Sequence, residues 1–323
     1  MKRIISIMLL VLFSMYLLTG CGGGSQGGAQ PTRLLMVTGG TAGTYYAYGG
    51  IIATTLTENL SDIEITANTS GASAANARSL NSGEAELAVL QNDVLDYAFN
   101  GTEMMADDGG MPALRTIATL YPEVIQVVAT GNSGVASISD LRGKRVCVGD
   151  AGSGTEANAR QVLAAYGLSF SDLGTVEHLS FADAATAMQN GTIDASFTTA
   201  GVPNPAITEL KSSTNIVLLS VDGAEADRLI ADYPFYSKYT ITNDDYGLSQ
   251  VGTVAILATL ACADNLSEDV VYAITKGLFD NQPALAVGHA RGNDLSAQNA
   301  VQGVSIPFHP GAEKYYKEAV VLN

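Results

Sequence analysis

The chain is poor in the residues from which most catalytic and metal centres are built. Its 323 residues include three histidines, three cysteines and no tryptophan. The histidines, at positions 178, 289 and 309, lie far apart, and no CxxC pair or other zinc-ligand spacing is present. The GxSxG motif that marks many serine nucleophiles is also missing. The sequence therefore predicts no enzyme, no cofactor and no metal site.

Basic residues are scarce as well. The chain has 16 Lys plus Arg against 32 Asp plus Glu, which gives a formal net charge of −16 at pH 7. An acidic surface of this kind repels nucleic acid and anionic lipid, so neither is expected as a partner. A small anionic ligand is not excluded, because the donors inside a cleft decide what it binds.

The longest apolar run lies at the N-terminus. Lys2 and Arg3 precede a mostly apolar segment that ends in Leu18-Thr19-Gly20-Cys21. A run of about fifteen residues is too short to span a membrane comfortably, and its basic start and small-residue end are typical of an export signal. We predict a lipoprotein signal peptide over residues 1–20, a lipidated Cys21 that anchors the chain to the membrane, and a Gly-rich tether over residues 21–32. An ordinary signal peptide or a short anchor helix is the alternative, and each places the protein outside the cytoplasm.

Cys147 and Cys262 remain once Cys21 is assigned to lipidation. Each of the two lies within an apolar segment of the sequence. Cysteine in such surroundings behaves as a small buried hydrophobic residue. We therefore expect two buried free thiols, with a disulfide as the alternative.

The rest of the chain alternates between short apolar runs and segments of helical periodicity. Strands are predicted at residues 34–38, 63–67, 87–90, 116–120, 125–130, 145–148, 176–179, 195–198 and 216–220, and helices at 181–189, 264–288 and 311–321. Alternation of this kind predicts α/β units around parallel strands. Because the pattern restarts after a polar segment at 137–145, we predict two α/β blocks with a cleft between them.

Four predicted strand-to-helix loops are rich in small and polar residues. They are Thr38–Tyr46, Thr69–Asn76, Gln91–Asp93 and Gly149–Thr155. Ligands of open α/β sheets bind at the carboxyl ends of strands, where glycine lets the backbone approach and a helix start offers N–H donors. The fourth loop lacks the P-loop lysine, and the first lacks a GxGxxG pattern with an acidic partner downstream. The loops therefore predict a small-molecule site that is not a nucleotide site.

The same segments resemble the TAXI family, the solute receptors of tripartite ATP-independent periplasmic (TRAP) transporters. The similarity runs in the same order from residue 38 to residue 316. It is carried by Thr38-Gly-Gly-Thr-x-Gly-x-Tyr-Tyr46, Gly71–Arg78, Ser82–Ala88, Gln91–Asp93, Leu120–Gln126, Gly152–Glu156, Val270–Lys276 and His309–Tyr316.

This resemblance implies a type II periplasmic-binding-protein fold, in which two crossover strands join two α/β domains around a ligand cleft. It implies a lobe 1 of residues 33–127 plus 236–323 and a lobe 2 of residues 128–235. It further implies a monomer that performs no catalysis. Such a protein captures glutamate, glutamine or a 2-oxoglutarate-like dicarboxylate and delivers it to a fused TRAP permease driven by an ion gradient.

The resemblance also carries over twelve ligand-binding positions. They are Gly40, Thr41, Gly43, Tyr46, Ser73, Asn76, Gln91, Asp93, Ser153, Gly154, Thr155 and Gly201. The charge of the ligand stays open, because Arg78 either faces the cleft or points away from it. An ionised Asp93 in the cleft would favour a ligand amino group over a free carboxylate. The receptor of an ATP-driven importer and a ligand sensor of the same fold remain as alternatives, whereas a hydrolase is disfavoured because no Ser-His-Asp pattern is present.

Overall fold

The computed structural model describes residues 31–322. The predicted signal peptide, Cys21 and nearly all of the predicted tether lie outside the described residues. Within residues 31–322, no helix combines the length and the apolar character needed to cross a membrane.

Strands and helices alternate along the described chain, as the sequence pattern predicts. The strands are β1 Thr32–Val37, β2 Ile63–Asn68, β3 Leu87–Gln91, β4 Leu114–Thr130, β5 Arg145–Cys147, β6 Thr175–Glu177, β7 Ala195–Ala200, β8 Ile216–Leu219, β9 Ser237–Ile241 and β10 Val251–Ala263. The α-helices are α1 Thr44–Asn59, α2 Ser73–Ser82, α3 Asn92–Asn100, α4 Gly154–Ala165, α5 Phe181–Gln189, α6 Pro205–Ser213, α7 Gly223–Asp232, α8 Asn243–Tyr246, α9 Glu268–Asp280, α10 Gln282–Gly288, α11 Ala297–Ala300 and α12 Pro310–Glu318. Short 3-10 helices occupy Glu103–Asp108, Ile138–Leu141, Phe170–Asp172 and Ala290–Asp294.

Two long antiparallel strands connect the two halves of the molecule. The sheet has the order β2-β1-β3-β10-β4-β7-β5-β6, with β8 paired to β4 and β9 paired to β10. The C-terminal part of β10 pairs with β3, whereas its N-terminal part pairs with β9. The C-terminal part of β4 pairs with β7 and β8. Strands β4 and β10 are thus the two crossover strands, and the predicted bilobal α/β fold is confirmed.

Strand β4 replaces two strands that the sequence predicts separately at 116–120 and 125–130. Pro122 lies between these two predicted segments and pairs with Leu257 inside the continuous strand. On its other side β4 begins to pair with β7 only at Val124, so the missing proline N–H leaves no strand partner unsatisfied there. The sequence alone also gives no prediction for β9 or for the full length of β10.

Each half of the sheet is covered by helices on both faces. The first half has two apolar clusters, one against α1, α9 and α12 and the other against α2 and α3. The second half has one cluster against α4 and α7 and another against α5 and α6. Ile241 and Tyr246 pack in this last cluster, although the predicted boundaries assign residues 236–323 to lobe 1. The exact lobe boundaries therefore stay a proposal, and the packing favours placing β9 and α8 in lobe 2.

The two cysteines are confirmed as buried free thiols. Cys147 and Cys262 are both buried and neither forms a disulfide. They lie in different apolar clusters, Cys147 in lobe 2 and Cys262 in lobe 1. Burial raises the pKa of each thiol, so both stay protonated at neutral pH.

Candidate functional site

A cleft of about 280 Å³ lies between the two lobes. The carboxyl ends of strands and the first residues of helices surround it, as expected for an open α/β fold. Its lining consists of Gly39, Gly40, Thr41, Ala42, Gly43, Thr44, Tyr45, Thr69, Ala72, Ser73, Gln91, Glu123, Asp150, Ser153, Gly154, Thr155, Ser180, Phe181, Ala182, Thr199 and Ala200.

Four helices begin at this cleft, and they differ in how their first N–H groups are satisfied. In lobe 2, the hydroxyls of Ser153 and Ser180 accept hydrogen bonds from backbone N–H groups of α4 and α5. In lobe 1, α1 follows Gly43 and α2 follows Ala72, and neither helix has a side-chain cap. Uncapped helix starts present free N–H groups and the positive end of the helix dipole. Lobe 1 therefore offers uncapped helix N–H groups that can bind an anion, whereas in lobe 2 serine hydroxyls already accept hydrogen bonds from helix N–H groups.

The loop before α2 holds its backbone in an uncommon conformation. The backbone angle φ of Ala72 is 65°, a value that residues other than glycine rarely adopt. The Ser70 hydroxyl holds this loop in place, because it accepts a bond from the Ala72 N–H at 3.1 Å and donates one to the Thr38 carbonyl at 3.0 Å. The strained turn directs the open start of α2 towards the cleft.

A buried carboxyl group, Glu123, lies at the point where β4 passes between the lobes. Its side chain accepts a hydrogen bond from the Tyr45 hydroxyl, and the Tyr121 hydroxyl lies 3.5 Å from its other oxygen. Glu123 is 2% exposed. Burial raises the pKa of Glu123 to about 8, against the lowering effect of the Tyr45 hydrogen bond. Burial also raises the pKa of Tyr45 well above its usual value, so the Tyr45 hydroxyl stays protonated at neutral pH and donates a hydrogen bond.

Gln91 and Gly154 bring the two lobes into direct contact. The Gln91 backbone N–H donates to the Ser73 hydroxyl at 3.2 Å, while the Gln91 Oε1 atom is buried without a hydrogen-bond partner. A Cβ atom on Gly154 would lie 1.9 Å from that Oε1 atom. The Gln91 amide of lobe 1 therefore rests directly on the first residue of α4 in lobe 2.

Further hydrogen bonds cross the cleft between the lobes. The Gly201 N–H donates to the Thr44 hydroxyl at 3.1 Å. The Asn204 side chain donates to the Ala42 carbonyl at 3.2 Å. Because these contacts join the loops around the cleft, the structure shows the lobes closed on each other.

Asp93 lies behind the cleft in a buried network that also joins the lobes. Its carboxylate accepts hydrogen bonds from the Val94 N–H at 2.8 Å and from the Asn158 amide at 3.0 Å. Asn158 also donates to the Tyr236 hydroxyl at 2.8 Å and accepts from Thr199 at 3.1 Å. Burial raises the pKa of Asp93 to about 7, against the lowering effect of the Val94 hydrogen bond.

The charged side chains in the lining are acidic. They are Glu123 and Asp150, and none of the described residues that line the cleft is Lys, Arg or His. Burial raises the pKa of Asp150, and negative Asp183 adds to the effect. Arg78 forms a two-point ion pair with Asp108 at 2.8 and 2.7 Å outside the cleft, which settles the open question of its direction. Within residues 31–322, no three His, Cys, Asp or Glu side chains form a group that could hold a metal ion.

The structure brings most of the predicted ligand-binding positions together. Those that line the cleft are Gly40, Thr41, Gly43, Ser73, Gln91, Ser153, Gly154 and Thr155. Their role in binding a ligand remains a proposal.

Four predicted positions, Tyr46, Asn76, Asp93 and Gly201, lie outside the lining. Tyr46 is 38% exposed and lies in a groove with Ala284 and Val287 on another face of lobe 1. The buried Asn76 amide donates to the carbonyls of Thr38 and Val89 at 2.6 and 2.7 Å and so joins the ends of β1 and β3. Asp93 and Gly201 instead join the lobes through Asn158 and Thr44. In the described structure these four residues therefore do not line the cleft, and spacing along the chain does not specify where such groups lie.

Sequence reasoning missed several lining residues with distinctive chemistry. Tyr45, directly before the predicted Tyr46, points into the cleft because successive residues of a helix face directions about 100° apart. Glu123 stands alone as a carboxyl residue within the apolar segment at 116–130. Because buried carboxyl groups are uncommon, this isolated glutamate could have been predicted as a functional residue. Asp150 and Phe181 carried no signal that could have separated them from ordinary loop residues.

Solved structures share this fold. The alkanesulfonate-binding protein SsuA from Xanthomonas axonopodis pv. citri, bound to MOPS, aligns with a TM-score of 0.51 and 19% identity over 90% of this chain and 84% of that chain. The periplasmic aliphatic sulphonate binding protein SsuA from Escherichia coli gives 0.52 and 18% over 89% and 79%. A putative L-cystine ABC transporter structure from Listeria monocytogenes gives 0.51 and 12% over 83% and 98%. At these identities the likeness shows the fold alone.

The sequence model of the NMT1-like family matches residues 36–319. The match spans both lobes and nearly all of the described residues. Its description names neither the TAXI family nor a TRAP transporter, so that finer assignment stays a proposal. The chain belongs to the NMT1-like family.

Proposed function

We propose that the protein is an extracytoplasmic solute receptor that closes on a small organic ligand and delivers it to a membrane permease. The observation that carries this proposal is the cleft between two lobes joined by β4 and β10, with the starts of α1, α2, α4 and α5 on its walls. Closure of such lobes sequesters a ligand from water. A lipid on Cys21 would keep the receptor at the membrane.

The proposed transporter is of the TRAP kind, with the chain as its TAXI receptor. The support is the motif resemblance from residue 38 to residue 316, since it includes the loops that line the cleft. The second candidate is the receptor of an ATP-driven importer, and the name of the L-cystine ABC transporter structure motivates it. Co-purification from detergent-solubilised membranes separates the two, because a TRAP receptor should retain a fused permease and the alternative should retain a permease with an ATPase.

A thermal-shift screen of residues 31–323 tests the solute-receptor proposal directly. The protein is refolded to remove bound ligand and mixed with amino acids, dicarboxylates, 2-oxoacids and aliphatic sulfonates. A ligand at one hundred times its Kd should stabilise the fold by about 2.7 kcal/mol, which raises Tm by several degrees. A cooperative transition that no compound shifts would contradict the proposal.

Substitutions at neighbouring tyrosines should separate the cleft from the outer face of α1. Tyr45→Phe removes the hydroxyl that donates to Glu123 in the cleft wall, so we expect an affinity loss of about tenfold, the size of one typical hydrogen bond. Tyr46→Ala should leave the affinity unchanged because this ring lies outside the cleft. Isothermal titration calorimetry with the best compound of the screen measures both, and an equal loss in the two variants would refute the assignment.

A further inference from the structure

The acceptors inside the cleft indicate which charge the ligand carries. Resting on the proposed receptor function, we infer that the ligand has a protonated amino group, held by the Glu123 carboxylate, and at most one carboxylate. This class includes neutral α-amino acids. It excludes plain dicarboxylates and 2-oxoacids.

The first argument is that Glu123 offers a buried acceptor to the cleft. Glu123 lines the cleft and is 2% exposed. One of its oxygens accepts a hydrogen bond from the Tyr45 hydroxyl, and the other lies 3.5 Å from the Tyr121 hydroxyl. Because each carboxylate oxygen can accept two hydrogen bonds, Glu123 keeps the capacity to accept an N–H from the ligand.

The second argument is the balance of charge around the ligand. Glu123 and Asp150 are the carboxyl groups among the described lining residues, and none of these lining residues is basic. One ligand carboxylate can be bound by the uncapped starts of α1 and α2 in lobe 1. A second carboxylate would find one N–H in the first turn of each of α4 and α5 already bonded to Ser153 or Ser180. It would also lie within an acidic cleft.

An ammonium group next to Glu123 would also change the protonation of that residue. Burial holds the pKa of Glu123 at about 8 in the empty cleft, so the carboxyl is mostly protonated at pH 7. The titratable groups that act on it are Tyr45, Tyr121 and Asp93, and none of them is basic. A nearby positive charge favours the ionised carboxylate. Binding at pH 7 should therefore release a proton to the buffer.

Matched pairs of compounds test the inference on the unmodified protein, residues 31–323. Each pair differs by the amino group: L-alanine with propionate, L-glutamine with glutaric acid monoamide, and L-glutamate with glutarate. In calorimetry at pH 7 we expect at least one amino acid to bind tenfold or more tighter than its amine-free partner, and glutamine to bind tighter than glutamate. Titrations in two buffers of different ionisation enthalpy should show proton release.

The outcomes separate the inference from the function on which it rests. Tightest binding by propionate, glutarate, 2-oxoglutarate or a sulfonate would overturn the inference and leave the receptor function standing. Tighter binding of glutamate than glutamine would overturn the limit of one carboxylate. Failure of every compound in this panel and in the wider screen to bind would overturn the proposed function and the inference together.

The variant Glu123→Gln tests the residue assignment. It should weaken binding of the preferred amino acid at least tenfold and abolish the proton release, while binding of the amine-free partner is unchanged or stronger. The control Glu84→Gln makes the same chemical change at an exposed position and should match the unmodified protein in both readouts. Proton release that persists in folded Glu123→Gln would overturn the role of Glu123. Circular dichroism checks folding, and the matched pairs decide the inference if the variant does not fold.

Discussion

Gly154→Val is expected to lower the affinity for ligand at least 100-fold while both lobes remain folded. A Cβ atom at this position would lie 1.9 Å from the Gln91 Oε1 atom and 2.3 Å from its Cδ atom. Gln91 is buried in the closed structure, so its amide has little free space into which it can move. If the closed state falls to about 1% of the population, the apparent affinity falls about 100-fold.

Calorimetry measures the affinity, and small-angle X-ray scattering reports whether ligand compacts the protein. The unmodified protein should become more compact when ligand is saturating, whereas Gly154→Val should keep the dimensions of an open form. Gly50→Ala is the matched control, because a Cβ atom on this residue of α1 would meet nothing within 4 Å. A Gly154→Val protein that compacts normally and binds with unchanged affinity would show that Gln91 and Gly154 do not meet in the ligand-bound state.

Much of the architecture could be predicted because the relevant signals are local. The predicted helix at 181–189 has the bounds that the structure shows, and the predicted strand at 145–148 differs from β5 by a single residue. Strand β4 was predicted as two separate strands, and Pro122 lies between them, although a proline inside a strand does not always end it. Whether it does so depends on which neighbours the strand has on each side, and that is a property of the sheet.

The candidate site was predictable at the level of its loops. Glycine-rich segments after strands identify the walls of the cleft, since backbone approach and helix starts leave a sequence pattern. The directions in which Arg78, Asp93 and Tyr46 point leave no such sequence pattern. Asp108, the partner of Arg78, and Asn158, the partner of Asp93, come from distant segments of the chain. Sequence reasoning considered Asp93 as an acceptor for a ligand amino group only if it faced the cleft, whereas the structure places Glu123 in the lining and Asp93 behind it.

The empty protein is expected to lose stability as the pH rises from about 4 to 8, through two buried carboxyl groups. Burial raises the pKa of Asp93 from 3.8 to about 7 and that of Glu123 from 4.5 to about 8. Within these windows the folded protein keeps protons that the unfolded chain has released. Because the native state then binds more protons, the free energy of unfolding falls with rising pH, by up to about 1.4 kcal/mol per pH unit for each group.

Other titratable groups also change the stability with pH, so variants must isolate the two carboxyls. Burial raises the pKa values of Asp150 and Asp294, which therefore act with the same sign. Arg145 and Arg78 lower the pKa values of Asp194 and Asp108, whose contributions therefore change only at more acidic pH. Burial lowers the pKa values of the two histidines His289 and His309, so they add stability as the pH rises towards 6.5. The difference between a variant and the unmodified protein removes these shared terms.

Urea unfolding at pH 5, 6, 7 and 8 of the ligand-free protein and of Asp93→Asn measures this difference. The variant cannot titrate at position 93, so its free energy of unfolding should decline less steeply, with the gap in slope concentrated below pH 7. Only the slope is compared, and not the absolute free energy of unfolding of the variant. The new asparagine amide faces the Asn158 amide, and this contact by itself lowers the stability. Asp107→Asn, at an exposed position, should give a curve parallel to that of the unmodified protein. A parallel curve for Asp93→Asn as well would mean that Asp93 is ionised at all these pH values, and that the network joining the lobes holds a permanent buried charge.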